Sequence, residues 1–143
     1  MIFKESDVFC KPEDLGYREW GTESLIYCSS GHYSFKLINI KKGMKGGLQY
    51  HHLKDECTYI VSGTLLIRYD LNDGSGLREK SLSDGMWVRF PTGMVHQEIA
   101  ITDVVRIEVS TPYFNDRVRV EELYDEGPVI GLQSTKIEDV IKR

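Results

Sequence analysis

The chain has 143 residues, a formal net charge of −4 and 41% hydrophobic residues, which is typical of one soluble globular domain. This composition excludes collagenous, disordered and membrane-spanning classes of protein. The pI of about 5.6 and the lack of any basic cluster argue against nucleic acid or an anionic membrane as partner. A small molecule is therefore the expected partner.

The cysteines and the N-terminal region indicate where the protein works. Cys10, Cys28 and Cys57 form no CxxC pair, and an odd number of thiols favours a reducing compartment. Charged residues interrupt every apolar run near the N-terminus, so we expect no export signal. The predicted location is the cytoplasm.

Short segments rich in β-branched and aromatic residues recur along the chain, separated by turn sequences such as Ser62-Gly63. This spacing is typical of an all-β barrel or sandwich. The predicted strands are residues 24–28, 33–40, 47–52, 57–61, 64–69, 86–90, 95–101 and 104–110. We predict one domain over residues 1–143, with the barrel core at about 24–111 and a C-terminal extension over 112–143.

Only the C-terminal end has a helical pattern. Thr135 and Glu138 could form a capping box ahead of an apolar face, which predicts a short helix there. The charged segment 116–127 fits either a strand or a helix and stays unassigned from sequence.

Potential metal ligands are concentrated between Gln49 and Glu56. On a strand, Gln49 and His51 point to the same face because side chains alternate. A turn before Glu56 allows its carboxylate to enter from the neighbouring strand, and His96 lies on a later strand. Imidazole nitrogens and carbonyl or carboxylate oxygens are ligands that divalent cations accept.

The sequence also allows a second choice of metal ligands on this strand. Tyr50 and His52 occupy the opposite face and could replace Gln49 and His51. Tyrosine is a rare metal ligand, whereas the Gln49 amide offers a carbonyl oxygen. We favour the register that contains Gln49 and His51.

The first of two segments resembles a motif of the cupin family, G-x5-H-x-H-x3,4-E-x6-G. The matching positions are Gly43, Gln49, His51, Glu56 and Gly63, with glutamine where the first histidine usually stands.

The second segment resembles the other cupin motif, G-x5-P-x-G-x2-H-x3-N. Gly85, Pro91, Gly93 and His96 match it, and Ala100 replaces the final asparagine. The resemblance implies a cupin double-stranded β-helix, a jelly-roll barrel that holds one divalent ion, Zn, Mn, Ni or Fe. The ligands that it implies are Gln49, His51, Glu56 and His96.

The Gln-x-His variant resembles the metal site of cupin-type phosphomannose isomerases. The segment Trp20-Gly21-Thr22-Glu23 is similar to one found in sugar-phosphate isomerase-like cupins, although Leu53 stands where such isomerases often have a histidine. The resemblance implies a metal-dependent isomerase or epimerase in carbohydrate metabolism. Its substrate would be a phosphorylated or nucleotide-linked sugar.

Isomerisation of an aldose needs a base that moves a proton between adjacent carbons. Glu108 lies on the predicted strand 104–110 with Arg106 on the same face, and Glu98 lies two residues after His96. We predict Glu108 as the base and Glu98 as the second choice.

A sugar phosphate also needs a cationic clamp and an aromatic surface. The predicted substrate-binding residues are Arg106, Arg89, Lys36 and Tyr59, with Arg68 and Trp87 as further candidates. Because barrels of this kind pair through edge strands, a homodimer is expected.

Two other functions stay open from sequence. One is a module that binds a small sugar without turnover, because a fold does not dictate an activity. The other is a non-haem metal dioxygenase, which the amide oxygen of Gln49 disfavours, since such enzymes hold a redox metal mainly through imidazoles.

Overall fold

The computed structural model describes residues 1–141, which are built mostly from β-strands. A short helix, α1 (Glu5–Val8), precedes the strands, and a 3-10 helix (Glu121–Tyr124) and α2 (Ile137–Ile141) follow them. The strands are β1 (Glu13–Arg18), β2 (Gly21–Ser29), β3 (Tyr33–Ile40), β4 (Gln49–Tyr50), β5 (Glu56–Ser62), β6 (Leu65–Asp70), β7 (Leu77–Leu82), β8 (Trp87–Phe90), β9 (His96–Ala100), β10 (Val104–Ser110) and β11 (Val118–Arg119). Within residues 1–141, no helix has the length and apolar character needed to span a membrane.

The strands form two antiparallel sheets. One has the order β1-β2-β3-β10-β5-β8, and the other has the order β11-β4-β9-β6-β7. Strands that are distant in sequence lie side by side, as β10 does between β3 and β5. This crossing order, with both sheets contributing to one interior, confirms the predicted all-β architecture.

The main hydrophobic core joins the two sheets. Its fully buried members are Ile60, Leu65, Ile67, Leu82, Phe90, Ala100 and Val104, which come from strands of both sheets. Alternation of side chains explains which residues are buried. For example, β5 turns Glu56, Thr58 and Ile60 inward and exposes Tyr59 and Val61. Each strand therefore has one inward row that mixes core and polar residues.

All eight predicted strands occur in the structure, but the third is reduced to β4. Three strands lacked a sequence signal. β1 and β7 are rich in charged residues and largely exposed, and β11 has only two residues and lies in the segment left unassigned. Pairing with a neighbour, rather than an apolar pattern, makes these segments strands. The short C-terminal helix is present as α2.

Gly63 shows why a motif position requires glycine. Its φ is +99°, in the left-handed region, and a Cβ there would lie 2.1 Å from the carbonyl oxygen of Asp103. Its N–H donates a hydrogen bond of 2.8 Å to Asp84. The tight turn between β5 and β6 therefore leaves no room for a side chain.

We predict that Gly63→Ala destabilises the protein more than Gly74→Ala does. Gly74 is the matched control, because its φ is +85° but a Cβ there would contact nothing within 4 Å. Gly74→Ala should lower the free energy of unfolding by about 1 to 2 kcal/mol through the left-handed backbone alone. Gly63→Ala should cost about 2 kcal/mol more because of the collision with backbone. Equal losses in urea unfolding would contradict the steric explanation.

Candidate metal centre

Three potential metal ligands meet inside the barrel: His51 directly after β4, Glu56 at the start of β5 and His96 at the start of β9. Their ligand atoms all lie within 4.8 Å of one another. His51 Nε2 is 3.7 Å from Glu56 Oε2, and His96 Nε2 is 3.9 Å from Glu56 Oε1. All three side chains are buried.

Backbone contacts fix the two imidazole rings. His51 Nδ1 bonds the carbonyl oxygen of Asp116, and His96 Nδ1 bonds that of Met94 at 3.0 Å. A carbonyl only accepts, so each ring carries its proton on Nδ1 and presents an Nε2 lone pair to Glu56. Phe90 stacks on His96 with ring centroids 3.9 Å apart, which further orients that ring.

Burial keeps both rings neutral. Burial lowers the pKa of His51, and it lowers the pKa of His96 to about 4. Two lone pairs and a carboxylate therefore converge at neutral pH, an arrangement that attracts a cation. The donor set of two imidazoles and one carboxylate fits a divalent metal.

Lys54 is a site residue that neither the motifs nor the strand pattern pointed to. Its ammonium nitrogen lies 2.7 Å from Glu56 Oε2, and the Lys54 side chain is only 14% exposed. Burial would raise the pKa of Glu56, but the Lys54 charge holds it well below its usual range. Lys54 lies in the loop between β4 and β5, where strand alternation does not predict the direction of its side chain.

Gln49 shares the inward face of the second sheet with His96. The two residues are direct partners across the β4–β9 ladder, and side chains of such partners point to the same side. His52 lies outside the cluster and packs edge-on against Tyr50, with the two ring centroids 5.8 Å apart. The structure thus brings His51, rather than His52, to the other ligands.

Arg106 links the two carboxylates predicted as bases. Arg106 Nη2 lies 3.1 Å from Glu98 Oε2, and Nη1 lies 3.4 Å from Glu108 Oε1 and 3.0 Å from Thr58 Oγ1. Burial raises the pKa of Glu98 to about 7. Glu98 Oε1 is buried and, among residues 1–141, has no hydrogen-bond partner. That oxygen is therefore available to a ligand.

A cavity of about 180 Å³ reaches Glu98 and Arg106. Its other walls include the apolar side chains of Trp20 and Met44 and the exposed Lys45. A ligand held there would contact the carboxylate that follows His96 on β9. The cavity and the metal cluster are thus joined by one polar row of the barrel interior.

The remaining predicted substrate-binding residues are engaged elsewhere or point away. Arg89 is exposed and pairs with Asp55 through contacts of 3.0 and 2.6 Å. Lys36 bonds Glu23 at 2.6 Å on the inward face of β3. Tyr59 is 46% exposed on the outer face beside Trp87.

Arg68, the further candidate, donates to Glu126 and Gln97. The structure therefore brings none of Arg68, Arg89 and Tyr59 to the cluster of His51, Glu56 and His96.

We predict that a divalent metal rescues Lys54→Met. Without metal, the variant leaves Glu56 buried without its ammonium partner, which should cost about 3 kcal/mol of unfolding free energy. Adding Zn²⁺ should restore most of that loss, because the ion replaces the missing positive charge. Urea unfolding in chelator and in Zn²⁺ measures both values.

Lys36→Met is the matched control, since it also removes a lysine from an inward ion pair. Zn²⁺ should not restore its stability beyond the gain seen in the parent. Equal rescue of both variants would show that the ion does not replace the Lys54 charge.

No protein-family model matches the sequence, and no curated protein matches it significantly. CapF of Staphylococcus aureus, a capsular polysaccharide assembling protein, matches by structure with a TM-score of 0.66 at 21% identity. The match covers 82% of this chain and 34% of CapF, so this chain spans about a third of that protein.

Two further structures share the architecture. KdgF from Halomonas sp. has a TM-score of 0.59 at 15% identity, with 78% of this chain and 90% of KdgF covered. Oxalate decarboxylase of Bacillus subtilis, which has Mn(II) centres, has a TM-score of 0.62 at 18% identity, with 81% and 32% covered. All three neighbours are cupin-fold proteins. Together with its own two motifs and sheet order, these likenesses show that the chain has the cupin fold.

Proposed function

We propose that this protein is a metal-dependent enzyme that isomerises or epimerises a phosphorylated or nucleotide-linked sugar. The observation that carries the proposal is the shared interior of the metal cluster and the Glu98–Arg106–Glu108 row. A cation site and a proton-transferring carboxylate are the two parts that sugar isomerisation requires.

The ligands in this proposal are His51, Glu56 and His96, with Gln49 as the fourth. When bound, the ion would polarise the carbonyl and hydroxyl oxygens of a sugar and stabilise the charge of an enediolate. Nitrogen and oxygen donors suit Zn, Mn, Ni or Fe. The Mn(II) centres of the Bacillus subtilis neighbour support manganese as one choice.

Glu98 is the better placed of the two predicted bases. It lines the cavity and has a buried Oε1 without a hydrogen-bond partner among residues 1–141, whereas Glu108 does not line the cavity. Arg106 holds Glu98 through Oε2, which leaves Oε1 to take and return a proton. We therefore assign the proton transfer to Glu98 and an orienting role to Arg106.

The cavity walls suit a sugar with an anionic group. Trp20 offers an aromatic face for a sugar ring, and Lys45 offers an ammonium group for a phosphate. Arg89 and Lys36, two of the cations predicted from sequence, are held in ion pairs with protein carboxylates. The assembly of capsular polysaccharide by the neighbour CapF supports a carbohydrate substrate.

A sugar-binding cupin without catalysis is the alternative function. One observation favours it: the Lys54 ammonium already compensates the Glu56 charge, so the barrel could stay folded without a metal. The alternative predicts ligand binding that is independent of metal.

We predict that His51→Ala, His96→Ala and Glu56→Gln each weaken Zn²⁺ and Mn²⁺ binding by about 100-fold or more, because each loses one direct ligand. Gln49→Ala should cause a smaller loss of metal affinity. His52→Ala is the matched control and should bind like the parent, since its ring lies outside the cluster. Elemental analysis and chelator competition measure the affinity. Equal metal content in all five variants would refute the ligand assignment.

For the activity, we expect the metal-loaded parent to incorporate deuterium from heavy water into one member of a panel of hexose phosphates and nucleotide sugars. Glu98→Gln should lower that rate by about 100-fold or more while it retains metal. Glu108→Gln should have a smaller effect, because it keeps the Glu98 carboxylate.

Three other outcomes would contradict this proposal. A thermal shift by a sugar without exchange, in both the presence and the absence of metal, would identify a binding module. Oxygen consumption in place of deuterium exchange would identify an oxygenase. A larger loss of the deuterium-incorporation rate in Glu108→Gln than in Glu98→Gln would identify Glu108 as the base.

A further inference from the structure

We infer that Asp116 positions the metal-ligating loop, so that metal occupancy and docking of the C-terminal segment over residues 112–141 are coupled. The inference rests on the metal site of the proposed function. It adds a positioning residue that lies outside both cupin motifs, in a segment that the sequence left unassigned.

The Asp116 carboxylate holds the loop between His51 and Glu56. It accepts three consecutive backbone N–H groups: from His52 at 3.1 Å, from Leu53 at 2.8 Å and from Lys54 at 2.8 Å. Consecutive N–H groups that converge on one anion form a rigid loop conformation. Asp116 is 1% exposed, so water does not compete for these bonds.

The backbone of the same residue holds the ligand itself. The Asp116 carbonyl oxygen accepts the Nδ1 proton of His51, which leaves Nε2 facing Glu56. One buried residue thus determines both the tautomer of His51 and the path of the chain that follows it. A partner of this kind beyond the direct ligands tunes metal affinity.

The rest of the segment follows the same strand. In β11, Val118 pairs with Tyr50 and Arg119 pairs with Gln49. Glu121 then accepts the N–H of Leu48 at 3.1 Å. The C-terminal segment therefore contacts the chain continuously from Leu48 to Lys54, and it forms the outer neighbour of the strand that leads to His51.

This geometry couples two equilibria. Docking of the segment orients His51 for an ion, and an ion on His51 favours the docked segment by the same factor, because coupling free energies are reciprocal. Loss of the Asp116 contacts should then weaken metal binding without removing any ligand.

The test compares Asp116→Asn with Asp70→Asn in the full chain. In Asp116→Asn, the side-chain amide would place an N–H donor against the backbone N–H groups of residues 52–54, which now point at the Asp116 carboxylate. Asp70 is the matched control: it is also buried and accepts from the C-terminal segment, through Tyr124 at 2.7 Å, but it does not contact the ligand loop. Zn²⁺ affinity is measured by chelator competition, and unfolding free energy by urea.

We expect Asp116→Asn to bind Zn²⁺ about 10- to 100-fold more weakly than the parent. Asp70→Asn should also lower the free energy of unfolding, but its Zn²⁺ affinity should stay within about 3-fold of the parent's. That change is well below the loss expected when a residue that contacts a metal ligand is replaced. Equal Zn²⁺ affinity in the parent and folded Asp116→Asn, or equal losses in both variants, would overturn the inference while leaving the metal site standing. If the parent itself binds no Zn²⁺, both the inference and the proposed metal site fail.

Hydrogen exchange on the parent decides the matter even if Asp116→Asn fails to fold. Addition of Zn²⁺ should slow amide exchange at residues 52–54 and in β11, compared with chelator. Unchanged exchange in both segments of Zn²⁺-loaded protein would show that the two equilibria are independent, and the inference would be wrong.

Discussion

The buried carboxylate of Glu56, facing two imidazole lone pairs at 3.7 and 3.9 Å, is the constraint on which the rest of the site depends. An ionised carboxylate inside a barrel is costly unless a positive charge compensates it. Lys54 supplies that charge at 2.7 Å in the structure, and a divalent ion could supply it instead. The backbone bonds at Nδ1 leave both Nε2 lone pairs facing Glu56, where they could bind a cation.

The barrel interior is divided between packing and chemistry. Along the inward row of β5, Glu56 is followed by Thr58 and then by Ile60; along β10, the row runs from Ser110 through Glu108 and Arg106 to Val104. The apolar end carries the main core, and the polar end carries the cluster. At the polar end, the buried cation of Arg106 contacts both Glu98 and Glu108, which offsets part of the cost of burying these charges.

Much of the fold and part of the site could be predicted from sequence. Apolar alternation predicted the central strands, and Gly63 could be predicted because a tight turn excludes a side chain. The resemblance of the segments that carry His51, Glu56 and His96 to the two cupin motifs implied one shared interior. Asp116 could not be predicted in the same way, because an aspartate in a charged segment is ordinarily solvated. The finer resemblance to phosphomannose isomerases remains a prediction.

The amino-acid pattern alone predicts which residues alternate inward, where turns must fall and which side chains can offer ligand atoms, because these properties depend on near neighbours in the chain. Which charges find partners depends instead on the folded arrangement of the strands. Arg106 binds two protein carboxylates, Arg89 binds Asp55, and Asp116 reaches back to His51. Such pairings depend on strand order and on segments far apart in the chain, and no local pattern encodes them.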